Sequence, residues 1–214
     1  DKMRKRIMRH LNQRSEMLSG ISHDLRTPLT RMKLQLALLN DKELSKKLSL
    51  DIDEMEKMLN EYLQFTSSSY TEINETFDVS ELMKETILKY KNNSISSDIT
   101  PRIYMSGKKN LIKRSLHNLI DNALKYGDDI RLQISKRNKN ITIIIDDNGP
   151  GIPTNEYENV FKPFYKVDKG RGSSKSSVGL GLSITSDIVR SHGGNILLER
   201  SPLNGLRVKV ILPL

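Results

Sequence analysis

The sequence predicts an α+β protein in two parts. One is a helical hairpin that pairs into a four-helix bundle in a dimer, and the other is a sandwich of helices on a mixed sheet. Three observations carry that prediction. Apolar residues recur every three or four positions through the first 65 residues, the period of a buried helix face. A polar, serine-rich stretch from Thr66 to Glu72 then breaks the pattern, as linkers do. Beyond it, short apolar runs alternate with helical ones, which suggests an antiparallel-rich sheet covered on one face by helices. The boundaries are residues 1–66 for the helical domain, 67–75 for the linker and 76–214 for the sandwich domain.

Composition narrows the class. With 36% hydrophobic and 29% charged residues among 214, the chain is globular rather than disordered. The net charge of +9 is concentrated early, at Lys2, Arg4, Lys5, Arg6, Arg9 and Arg14. No aromatic residue is interleaved with these charges, so a solvated helix face, of the kind found just inside a membrane, fits better than a nucleic-acid arm. No apolar run approaches the roughly 18 residues of a membrane span. The absence of cysteine excludes disulfides and thiolate metal sites.

Taken in order, residues 2–39 read as one helix with a stripe through Met3, Ile7, Leu11, Leu18, Ile21, Leu25, Leu29, Met32, Leu36 and Leu39. Pro28 removes one backbone hydrogen bond and is expected to kink it near residues 24–27. Asn40-Asp41-Lys42 is a turn. A second helix follows, striped by Leu44, Leu48, Ile52, Met55, Leu59, Tyr62 and Phe65. One hairpin cannot bury both stripes, but two can, hence a homodimer. In the second domain, Asp78 or Ser80 caps a helix through Leu88, and Ile103–Met105 is a short strand. Lys108–Lys125 is a helix with Leu111, Ile112, Leu116, Leu119, Ile120 and Leu124 inward. Ile130–Ser135 and Ile141–Ile145 are strands around the turn Asn138–Asn140. Residues 152–178 form a long irregular loop, of the kind that is usually a mobile functional segment. Gly181–His192 is a helix ended by Gly193-Gly194, and Ile196–Glu199 with Leu206–Leu212 close the chain as a hairpin.

Four places carry chemistry. The first is Ser22-His23-Asp24-Leu25-Arg26-Thr27-Pro28. At 100° per residue, His23 points about 165° away from the stripe centre, so it faces solvent; a core histidine would lie on the stripe. Thr27 shares its side one turn on, and Asp24 lies beside the stripe. The second is Asn118 to Tyr126. Asn118 and Asn122 share a helix face and Lys125 lies one turn further. Amide oxygens can bind a hard cation such as Mg2+, and a lysine can meet phosphate, although asparagines on a helix are usually just exposed. The third is Asp146-Asp147-Asn148-Gly149-Pro150-Gly151-Ile152 after an apolar strand. Its glycines allow close backbone approach, and a carboxylate there can accept from an exocyclic amine such as that of adenine; a simple Gly-Pro turn reads the same way. The fourth, Gly179-Leu180-Gly181-Leu182, opens a helix whose N-terminus attracts anions, with no Gly-Lys-Ser/Thr to make it a Walker loop. His10, His117 and His192 read as structural, the last at a helix end that suits a cation.

Together and in this order, the last three motifs resemble the asparagine box and the two glycine boxes of the sensor histidine kinases of two-component systems. Phe161-Lys162-Pro163-Phe164 is similar to that family's phenylalanine box, and Ser22 to Pro28 to its phosphoacceptor histidine box. The resemblance covers essentially all 214 residues and is greatest to the EnvZ-type osmosensor kinases. It implies a Bergerat-type α/β sandwich that binds ATP. Asp147 would contact the adenine amine and Asn122 would hold Mg2+, with Asn118 and Lys125 near the phosphates and Tyr126 close to the nucleotide. Gly149, Gly151, Ile152, Phe161, Gly179, Leu180, Gly181 and Leu182 would shape the pocket, under a lid of residues 152–178. Ser177 and Val178 depart from the Gly-Thr that the family usually writes there.

His23 would be the phosphoacceptor, with Asp24 orienting its ring and Thr27 placing water for dephosphorylation. The partners implied are a second copy of the chain and a response regulator with an OmpR-like receiver domain. No nucleic acid is expected, and contact with a membrane only through sequence ahead of residue 1, so the chain is expected to be the cytoplasmic portion of a bacterial inner-membrane protein. The related ATPases of this nucleotide fold carry Glu where Asn118 stands. Asn118 cannot deprotonate water, which favours transfer to a side chain over hydrolysis. A non-catalytic signalling scaffold is the third reading, against which His23, Asn122 and Asp147 argue.

Overall fold

A computed structural model describes residues 25, 27–38, 41–90, 94–167 and 179–214, the side chains of 54, 57, 58 and 60–71 excepted. His23, Asp24, half of the expected kink and residues 168–178 of the expected lid lie outside that set. The chain divides into two compact units, Asp1–Thr71 and Glu72–Leu214.

In the first unit, α1 (residues 27–37) and α2 (Lys42–Thr71) form the hairpin. Asp41 starts α2 by accepting the N–H of Leu44 on Oδ1 at 3.0 Å, an N-cap that satisfies one orphan donor. Leu29, Leu36 and Ile52 are buried together, with Leu59 against them. Lys33 fastens α1 to α2 by bridging Asp53 and Glu56, each at 2.7 Å. The stripe residues Leu25, Met32, Leu44, Leu48 and Met55 remain 37–51% exposed, so one hairpin buries only part of its apolar faces.

The serine-rich stretch expected to be a linker is largely helical. α2 continues through Ser67–Thr71, and residues 72–74 belong to no helix or strand. The serine-rich stretch contains no Gly or Pro, and Ser or Thr costs only a few tenths of a kcal/mol per helical position. Its composition ends the amphipathic pattern without ending the helix.

The second unit contains, in order, β1 (Glu75–Asp78), α3 (Val79–Ile87), β2 (Ser94–Ile99), β3 (Tyr104–Gly107), α4 (Lys109–Tyr126), β4 (Asp129–Arg137), β5 (Asn140–Asp147), α5 (Gly181–Ser191), β6 (Asn195–Arg200) and β7 (Leu206–Pro213). The main sheet runs β2-β4-β5-β7-β6, and β1 pairs with β3 apart from it. Every neighbouring pair is antiparallel except β2 with β4. Alternate residues are buried along the strands, among them Ile130, Leu132 and Ile134, then Ile141, Ile143 and Ile145, then Val208, Val210 and Leu212. That period of two gives the sheet one core face, against which α4 and α5 pack.

Of the two possible caps for α3, Asp78 serves, accepting from the Ser80 and Glu81 N–H groups at 2.9 and 3.3 Å. Ser80 is buried and instead donates to the Thr100 carbonyl at 2.7 Å. α5 ends in a Schellman motif: Gly193 has φ +72°, its N–H reaches Arg190 O, and that of Gly194 reaches Val189 O.

Candidate nucleotide-binding site

β5 ends on two adjacent carboxylates whose side chains leave on opposite faces of the strand. Asp146 is 1% exposed and is gripped by Arg207 through two bonds, Nε to Oδ1 at 2.8 Å and Nη2 to Oδ2 at 2.9 Å. Asp147 is also buried, and its Oδ1 accepts from the Gly149 N–H at 2.8 Å and the Leu206 N–H at 3.1 Å. Both bonds land on one oxygen, which leaves the lone pairs of Oδ2 for a further donor. Burial pushes the Asp147 carboxyl above the usual range, and the neighbouring charge of Asp146 adds to this, while the two N–H donors pull it back.

The loop after β5 is held by its own residues. Asn148 Oδ1 accepts the N–H groups of Asp128 and Asp129 at 2.9 and 3.1 Å, and its Nδ2 donates to Asp128 Oδ1 at 2.7 Å. This ties the glycine loop to the turn between α4 and β4. Gly205 is a second constraint. A Cβ there would lie 2.2 Å from Asp147 Oδ1 and 2.4 Å from Asp147 O, closer than any side chain can approach.

α4 buries Leu111, Ile112, Leu116, Leu119, Ile120 and Ala123, which leaves Asn118 and Asn122 half-buried on one side. Leu124 is half-buried, with Ala123 taking the inward position. Asn118 Nδ2 donates to the Gly181 carbonyl at 3.4 Å, which brings the asparagine face of α4 to the first turn of α5. Lys125 Nζ lies 4.8 Å above the Tyr126 ring. A Cβ on Gly181 would meet nothing nearer than Asn118 Cβ at 3.8 Å. Among the described residues this glycine therefore relieves no clash, and it leaves room beside the helix start, where free N–H groups favour an anion. Half-buried amide oxygens on α4 form a hard donor set that suits Mg2+.

Gly179 differs, with φ +78° and Tyr165 O 2.9 Å from an added Cβ. Its carbonyl accepts the Phe164 N–H at 3.0 Å, so the phenylalanine motif and the second glycine motif meet. Val160 and Leu180 are buried, while Ile152, Phe161 and Leu182 are half-buried. Tyr165 and Asn159 both donate to Glu156, at 2.5 and 3.0 Å, which stiffens the described part of the loop. Thr27 is exposed on α1.

The two described histidines are structural. His192 Nε2 accepts the Lys108 N–H at 3.0 Å and its Nδ1 lies 2.8 Å from the Ile188 carbonyl. These two contacts tie the end of α5 to the start of α4, the structural role expected of this residue. His117 Nδ1 lies 3.0 Å from the Tyr90 hydroxyl, which donates to Asp121 at 2.7 Å. Burial and the nearby Lys89 hold His117 below the usual histidine range.

Residues 107–214 match the family model "Histidine kinase-, DNA gyrase B-, and HSP90-like ATPase", and residues 13–70 match "His Kinase A (phospho-acceptor) domain". The chain belongs to the sensor histidine kinases. This kinase core is 36% identical over 215 residues to sensor histidine kinase GtrS of Pseudomonas aeruginosa, covering 99% of this chain and 44% of that protein. It is 31% identical over 223 residues to sensor histidine kinase CpxA of Escherichia coli, covering 97% and 49%. The chain thus spans about half the length of those relatives. Among solved structures, the ATP binding domain of PrrB from Mycobacterium tuberculosis aligns with TM-score 0.55 and 27% identity over 65% of this chain and 96% of that one. Full-length ShkA in complex with AMPPNP aligns at 0.69 over 92% and 45%, with 21% identity, a likeness of fold. The family binds ATP through the Bergerat-type fold described above. Among the described residues, no helix is long and apolar enough to cross a membrane.

Proposed function

We propose that the chain is the catalytic core of a two-component sensor that phosphorylates His23 from ATP and passes the phosphoryl group to an aspartate of a response regulator. The observation that carries this reading is the approach of Asn118 to Gly181 on the same ATP-binding domain that ends β5 with a buried carboxylate having one oxygen to spare. In this reading Asp147 Oδ2 accepts from the adenine amine. Asn118 and Lys125 lie near the phosphates, Tyr126, Ile152 and Phe161 border the nucleotide, and Gly149, Gly151, Gly179 and Gly181 with Leu180 and Leu182 shape the pocket. Asn122 would hold Mg2+, which offsets charge on the phosphates when bound.

His23 attacks the γ-phosphorus. A P–N bond forms as the bond to the β,γ-bridging oxygen breaks, and ADP leaves. Asp24 holds the other ring N–H, fixing the tautomer and offsetting the charge that develops on the ring. The domains in this reading are residues 1–66 for dimerisation and phosphotransfer, a connection over 67–75, and 76–214 for ATP binding. The exposed stripes of α1 and α2 favour a homodimer. The partner regulator carries an OmpR-like receiver domain. The chain acts on the cytoplasmic side of a bacterial inner membrane, where the basic residues from Lys2 to Arg14 suit the inner leaflet.

Incubation with γ-labelled ATP and Mg2+ tests the reading. Acid-labile label retained on the protein supports a kinase. Released phosphate alone supports an ATPase, and neither supports a scaffold. The same core is proposed to dephosphorylate its regulator, with Thr27 hydrogen-bonding the attacking water. Thr27→Ala is expected to keep autophosphorylation and lose most regulator dephosphorylation, measured as the lifetime of the phosphorylated regulator. An unchanged lifetime removes Thr27 from that role.

A further inference from the structure

The main-chain ladder between β5 and β7 ends at the rung Asp146–Arg207. One residue further, the Leu206 N–H bonds the Asp147 side chain instead of a backbone carbonyl, and Gly205 closes on the same carboxylate. The seat of Asp147 therefore lies just past the last β5–β7 rung, with Leu206 still paired to Arg200 of β6, and loosening of β7 from β5 at that end would release it. That last rung is also where the open face of the sheet carries a row of alternating charge. Arg131, Asp146, Arg207 and Glu199 are successive cross-strand partners. Asp146 is 1% exposed although it lies on the face that α4 and α5 leave uncovered, and the Arg207 side chain is only 23% exposed. A two-pronged arginine–carboxylate pair fixes direction as well as distance, and breaking one buried partner leaves an uncompensated charge.

We infer that Arg207 is a positioning residue for the nucleotide base. Its grip on Asp146 locks β7 to β5 at the rung that seats Gly205 and Leu206 on Asp147 Oδ1, so that Oδ2 is held as the acceptor for a base bearing an amino group. The inference rests on the reading of Asp147 as the base acceptor, and it adds a residue on another strand that sets base selectivity without touching the base.

The test compares the dissociation constants of ATP and inosine triphosphate, in which a carbonyl replaces the 6-amino group, for the whole chain. The wild type is expected to prefer ATP by about tenfold or more, the size of a lost hydrogen bond to a charged group. Arg207→Met is expected to lose most of that preference, with ATP affinity falling toward that of inosine triphosphate and the latter changing by less than about threefold. Arg207→Lys keeps the cation but offers one prong; it folds under milder perturbation and is expected to lose part of the preference. An unchanged preference in Arg207→Lys, or an equal loss of both nucleotides in Arg207→Met, overturns the inference. A wild type that does not prefer ATP overturns the underlying reading of Asp147, which is a distinct outcome.

Discussion

At Asp147 the fold buries a carboxylate and supplies donors to only one of its oxygens. Because its folded-state value is raised by burial, its ionised form opposes folding. The stability associated with the neutral acid is present below the ordinary carboxylate range and is lost as pH rises through the raised value. Ligand binding has the opposite sign, since the ionised carboxylate is the better acceptor for an amine. Asp147→Asn keeps an oxygen for the Gly149 and Leu206 N–H groups but, in the proposed reading, turns a donor toward the adenine amine. We expect its thermal unfolding at pH 7 to be no lower than wild type, with ATP affinity reduced about tenfold or more. On acidification the wild type should lose affinity at a higher pH than an ordinary aspartate near 4 would dictate, and the variant should lack that component. Gly205→Ala should cost about 1–3 kcal/mol in urea unfolding, because the atoms it meets include backbone that cannot give way. Asp147 and Gly149 are legible in the sequence, as a carboxylate before glycines. Gly205 is not, because a glycine in a hairpin turn looks the same whether or not a distant side chain presses on it.

The elements divide by how strongly they are patterned. β4 and β5 place isoleucine or leucine at alternate positions and bury every one of them, so their period shows in the chain. β2 is Ser-Ile-Ser-Ser-Asp-Ile with no fully buried residue, an edge strand held by backbone bonds to β4, and its sequence reads as loop. β1 has only Phe77 buried and escapes notice for the same reason. The stripes of α1 and α2 are legible because both repeat at helical spacing, yet the hairpin buries only Leu29, Leu36 and Ile52 fully among the described residues. If the remaining stripe meets a second copy, Met32→Glu with Met55→Glu should convert the dimer to monomer in sedimentation equilibrium. A chain that is monomeric before substitution removes the four-helix bundle.

At the scale of the whole molecule, one unit carries the acceptor motif and the other carries the nucleotide site. Order along the chain reveals this division, since the five motifs follow one another from Ser22 to Leu182. The strand register that brings Arg207 and Gly205 onto the end of β5 is set by pairings about 60 residues apart, and no local pattern encodes it. In the proposed function, nucleotide binding belongs to the second unit and phosphoryl acceptance to the first, so the two can be measured separately. The most direct measurement is incubation of the wild type and His23→Gln with γ-labelled ATP and Mg2+, with nucleotide binding measured in parallel. Acid-labile label is expected on the wild type, none on His23→Gln, and equal ATP affinity for both. Acid-labile label still forming on His23→Gln would contradict the proposed function.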